Sequence, residues 1–163
     1  MAGEQQYLNR VTATPTISTS AYASGQVMGG LLTFSNAFSL RTCSGILLAA
    51  EVTDKSKQDI ALELLLFGAN PSSTTFTDQT ALTINATDLA NVLGVIYFNP
   101  STGSPSNHFI YSNYSVHYVG SLAIPIRGVT ASQRNLYAAL IARGAGTWAT
   151  SSDVSVMVSI EQD

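Results

Sequence analysis

Apolar and polar residues alternate with a period of two through most of this chain, which is the spacing of a β-strand with one buried face. The cleanest case is the last stretch, where Val154, Val156, Val158 and Ile160 share one face and Asp153, Ser155 and Ser159 punctuate the other. Residues 44–67 read as two such arms. Ile46, Leu48, Ala50 and Val52 align in the first, and Ile60, Leu62, Leu64 and Leu66 in the second. The polar run DKSKQD between them predicts a hairpin with a solvated tip, because Asp54 and Ser56 bond readily to nearby backbone while Lys55 and Lys57 take up water.

The same pattern extends over the rest of the chain. Residues 11–17 contain Pro15, so they form an edge strand or extended segment, since proline donates nothing to a ladder. Residues 26–34 form a strand with a bulge or close backbone contact at Gly29 and Gly30. Residues 68–83 form a long connector with Pro71 and Phe76 as anchors. Leu89 and Val92 then fall three apart behind Asn85 or Thr87 as a cap, which predicts a short helical turn. Residues 92–98 return to strand, and residues 99–107 are a turn-rich loop of Pro, Gly, Ser and Asn. Residues 109–119 read as one long strand, with Ile110, Tyr114, Val116 and Tyr118 on one face and Asn113 and His117 on the other. Leu122, Ile124 and Ile126 alternate around Pro125, another edge signature. Residues 136–143 fit a strand or a short helix, ended by Gly144 and Gly146.

About eight strands separated by turn signals predict an all-β fold, an antiparallel, jelly-roll-like β-sandwich. The expected organisation is a polar N-terminal arm over residues 1–10 and a single domain over residues 11–163. There is no internal repeat.

Composition narrows the function. Of 163 residues, only 10% are charged, against about a quarter in an average domain, and serine and threonine fill the gap. Such a surface can be covered by a partner without desolvating many ions. The net charge of −3, with seven scattered Lys and Arg, offers no stripe for a phosphate backbone, so no direct nucleic-acid ligand is expected. Cys43 is the only cysteine, which forbids an intrachain disulfide and suits a reducing cytoplasm. The opening residues lack the basic and apolar regions of a secretory signal, and no run is long enough to span a bilayer, so no membrane partner is expected.

Candidate chemistry is sparse. There is no GxSxG, and nothing singles out one serine as a nucleophile. His108 and His117 lie an odd number of residues apart, so one continuous strand would point them to opposite faces, and no ligand-spaced Cys or acid accompanies them. Asp54 and Asp59 bracket a loop whose two lysines oppose a divalent cation. Asn85 and Asn113 begin glycosylation-type triplets, which carry little without a secretory signal. Tyr97, Tyr111, Tyr114 and Tyr118 either form a flat platform for a sugar or fill a core or subunit interface, as does Trp148. No catalytic residue, cofactor or metal is expected, and the chain is read as not an enzyme.

The segments AYASGQVMGGLLTFSNA, SGILLAAEVTDKSKQDIALELLLFGANPSSTTFTDQTAL and ATDLANVLGVI, followed by VGSLAIPIRG, LYAALIARGAGTW and TSSDVSVMVSIEQD, resemble a family of small tailed-bacteriophage virion proteins. The similarity spans nearly everything beyond the first ten residues and is weakest over residues 99–108 and the aromatic strand that follows. It implies a β-sandwich head protein that decorates or cements the outer capsid shell. The implied partners are the major capsid protein and further copies of the chain, as a homotrimer. The implied location is the capsid exterior, after assembly in the host cytoplasm. The expected partner contacts are Lys55 and Lys57 at the charged tip and Leu122, Ile124 and Ile126 on the edge segment. The alternative is a tail- or fibre-associated adhesin that holds host surface glycans through loop tyrosines.

Overall fold

Ten antiparallel strands and one short 3-10 helix make up the regular structure of the computed structural model, which describes residues 7–100, 108–128, 130 and 132–162. The strands are β1 (Tyr7–Ala13), β2 (Val27–Phe34), β3 (Ser44–Asp54), β4 (Leu62–Phe67), β5 (Val92–Phe98), β6 (His108–Ile110), β7 (Ser115–Val119), β8 (Ile124–Arg127), β9 (Leu136–Ala142) and β10 (Val154–Gln162). The first sheet runs β1-β10-β3-β7-β6, with β8 also paired to β3, and the second runs β2-β9-β4-β5. The all-β sandwich expected from the sequence is what forms, with more and shorter strands than the pattern suggested.

The alternating strand β10 lies between β1 and β3, and Val154, Val156, Val158 and Ile160 all reach the main core between the sheets. In β4, Leu62, Leu64 and Leu66 meet the same core, each stabilising by about 1.5–3 kcal/mol on burial. Leu65 and Phe67 point the other way, into a second cluster with Ala139 and Ile141. Residues 69–85 cover that outer face with Phe76, Leu82 and Ile84, and Phe76 meets Phe67 edge-on at 5.8 Å. Covered on both faces and paired with β2 and β4, residues 136–142 form a strand and not a helix.

Two local expectations hold in detail. Gly29 and Gly30 adopt φ of +74° and +85° where the β2–β9 register shifts, and a Cβ on Gly29 would lie 2.4 Å from that of Pro15. The helical turn is a 3-10 segment, Ala86–Asn91, whose Thr87 N–H donates to the Asn85 side chain at 3.0 Å.

Others are corrected. Residues 44–67 are not a hairpin, because β3 and β4 belong to opposite sheets and the intervening chain crosses between them. Nor do Ile46, Leu48, Ala50 and Val52 share the buried face. Ile160 pairs with Leu47 and Ser159 with Ala49, so Leu48 is bulged and the inward phase changes to Leu47, Ala50 and Val52. Residues 109–119 are not one strand, since β6 and β7 form a hairpin around residues 111–114. The expected arm boundary at residue 10 falls inside β1, while the first six residues of that arm and residues 101–107 of the turn-rich loop lie outside the described residues.

Candidate functional site

Five buried polar side chains, Asp54, His108, Ser115, His117 and Asp153, collect at one end of the sandwich, where β3 ends, residues 55–61 cross to the second sheet, and the β6–β7 hairpin turns. Asp54 closes β3. Its carboxylate accepts N–H bonds from Ser56 and Gln58, both at 2.8 Å, which folds the following residues back over it. It is buried, so desolvation pushes its carboxyl above the ordinary carboxylate value, against the pull of those N–H donors. The expected solvated tip holds at Lys55, Lys57 and Asp59, which are exposed, but not at Asp54, which is buried at its base. Lys57 takes a positive φ of 55°, and its ammonium donates to the Ser112 carbonyl at 2.9 Å, tying the crossover to the β6–β7 turn.

Asp153 locks the other side of this end. It accepts from the Ser56 hydroxyl at 2.6 Å, the Ala149 and Thr150 N–H groups at 3.1 and 3.0 Å, and the Thr150 hydroxyl at 2.6 Å. Desolvation works against its ionisation, but these donors outweigh it and hold the carboxyl below the ordinary value.

The hairpin places His108 directly opposite His117, and the two rings stack at 4.0 Å and 6°. A continuous strand would have separated them; reversal of the chain brings them onto the same inward face. The central Ser-Asn of YSNY is a local turn signal for that reversal, though not for which residues it pairs. His108 Nδ1 lies 2.9 Å from Asp59 Oδ1. His117 is fully buried with Phe98 edge-on at 6.4 Å, and neither of its ring nitrogens has a hydrogen-bond partner among the described residues. Burial, then the charge of His108, pushes its pKa down to about 4, while the Gln58 backbone and Asp59 pull weakly the other way. Parallel stacked imidazoles do not aim their nitrogens at a common point. Among the described residues no group of three or more His, Cys, Asp or Glu is placed to hold a metal ion.

Outside this polar knot the hairpin is aromatic. Phe109, Ile110, Tyr111 and Tyr118 are exposed, and Tyr111 stacks on Tyr114 at 5.0 Å and 26°. A cleft of about 300 Å³ opens beside them, lined by Thr53, Lys55, Asn113 and Tyr114. Tyr97 is also exposed but lies on β5 of the other sheet, so the four tyrosines do not form one platform. Trp148 is core, edge-on to Tyr22 at 5.3 Å. Cys43 is buried with φ of 52°, and its carbonyl accepts from Gly128 at 2.9 Å.

Of the expected partner contacts, Lys55 alone lines the cleft. The edge character of residues 122–126 is real, with Pro125 facing Ile46 across a β8–β3 pair. Its aliphatics, however, turn inward. Ile126 is a core residue, and Leu122 and Ile124 are partly buried against the same core, so all three contribute to the fold.

No family model and no curated protein matches the chain. Among solved structures, a chain of desmodium yellow mottle tymovirus aligns over 99% of this chain and 85% of its own length, at 12% identity and a TM-score of 0.28. A score of that size does not define a shared fold.

Proposed function

We propose that this chain is a structural virion protein of a tailed bacteriophage, which decorates the outer capsid shell as a homotrimer by bridging capsid subunits, without catalytic turnover. The observation that carries this reading is where large apolar side chains meet water. At one end of the first sheet's strand order, Tyr7 and Leu8 of β1 are 62% and 65% exposed. At the opposite end, Phe109 and Ile110 of β6 are 50% and 59% exposed. Exposed apolar edges invite pairing with other chains and are normally blunted by charge or covered. Two unlike edges on opposite sides of one sheet suit head-to-tail contacts, which generate a closed ring when the rotation closes. The sequence resemblance and the charge-poor surface support the same reading.

Light scattering at micromolar concentration tests the assembly. The expected mass is three chains, with Leu8→Glu and Ile110→Glu each shifting it to one. A wild-type monomer overturns the trimer. Density for this chain on the outer shell of the intact virion is expected; density confined to tail or fibre overturns the capsid role.

A further inference from the structure

We propose that the cleft between the end of β3 and the β6–β7 turn binds an acidic pyranose, the uronate unit of a polysaccharide. A pyranose ring has an apolar C–H face that stacks on an aromatic ring and a rim of hydroxyls that needs donors and acceptors. The cleft offers both. Tyr114 supplies the aromatic surface, and its stacking on Tyr111 at 5.0 Å fixes the ring before any ligand arrives. Asn113 supplies an amide with one acceptor and two donors, and Thr53 supplies a hydroxyl that donates to Glu51 at 3.3 Å and keeps a lone pair to accept. The volume, about 300 Å³, lies at the lower end of small-molecule sites and holds one sugar ring with some water.

Charge selects among sugars. Among the described residues Lys55 is the only ionic group lining the cleft. The Glu51 carboxylate, bonded to the Thr53 hydroxyl, is not part of the lining, and Lys57 is directed to the Ser112 carbonyl. An ammonium beside a carboxylated sugar forms a charge-assisted bond that a neutral hexose cannot match. The walls are held independently of ligand. The Tyr111 N–H donates to the Tyr114 carbonyl at 2.8 Å, and the Lys57 bond anchors the same turn to the loop that Asp54 shapes. The site goes beyond a decorating role, and binding to the isolated chain is read independently of where the chain sits on a particle.

The test is an amide chemical-shift titration of the full chain with glucuronate, and in parallel with methyl glucoside, to 100 mM. Glucuronate is expected to move the signals of residues 53–55 and 111–114, with affinity at least fivefold above the glucoside. Tyr114→Ala is expected to weaken binding at least tenfold. Lys55→Gln, at an exposed position that leaves the fold untouched, is expected to remove the preference for glucuronate. No localised shift with glucuronate, or unchanged affinity in Tyr114→Ala, overturns the site. Equal affinity for the neutral glucoside overturns the acidic assignment.

Discussion

Lowering the pH from 7 to 4 should destabilise this protein chiefly through His117. In the folded state that imidazole is fully buried, stacked on His108 and faced by Phe98, Asp59 and the Gln58 backbone. Its folded pKa is about 4, against an ordinary value of 6.5. The unfolded chain therefore binds a proton near pH 6.5 that the folded chain refuses until about 4. Stability is fully present above 6.5, falls through that window, and levels off below it. A difference of about 2.5 pH units corresponds to about 3 kcal/mol, which at a urea dependence of about 2 kcal/mol/M moves the midpoint by about 1.5 M. The carboxylates set a background in the lower part of the window. Asp54, raised by burial, gains stability as it protonates, whereas Asp153, held low, loses it. His117→Phe keeps an aromatic in the stack and removes the titration, so it shares that background. The assay is urea unfolding at half-unit steps from pH 4 to 7.5. The variant's midpoints should follow only that shared background between pH 6.5 and 4.5, while the wild type falls progressively below them. Parallel curves would refute the reasoning.

Three further outcomes follow from packing and hydrogen bonding. Gly29→Ala places a Cβ 2.4 Å from Pro15 at a φ of +74° and should cost about 2–5 kcal/mol by chemical denaturation. Asp153→Ala removes the acceptor shared by Ser56, Ala149 and Thr150 and should cost about 1–3 kcal/mol at pH 7. The loss should shrink as pH falls through the depressed pKa of Asp153, as urea midpoints at pH 7 and 3 will show. Leu64→Ala opens a cavity in the fully buried core and should cost about 2–5 kcal/mol, read as a lower urea midpoint at an unchanged slope.

Much of this architecture was legible in the sequence because its signals are local. Strict alternation identified β10, the paired glycines marked the β2 bulge, Pro15 and Pro125 marked the segments at sheet edges, and Asn85 announced the 3-10 turn. A period of two states that one face is buried, which fixes the strand and the class of fold. It does not state which strand lies alongside.

That choice belongs to the tertiary structure. Residues 44–67 carry two apolar arms that satisfy a hairpin and a sheet-to-sheet crossover equally well by pattern. The crossover forms because β10 pairs β3 along nearly its whole length while β4 inserts between β9 and β5. The bulge at Leu48 then reverses which residues face inward, a one-residue slip that no periodicity reveals. The candidate site is tertiary in the same sense. His108 and His117 become neighbours only when the chain reverses at residues 111–114, and Lys57 reaches Ser112 only when the crossover loop and the hairpin share one end of the sandwich. The sequence by itself determined most of the strands and a charge-poor composition, since both are set residue by residue. Packing two sheets face to face decided which aromatic and polar groups meet, because long-range pairing is chosen by the burial of all strands together.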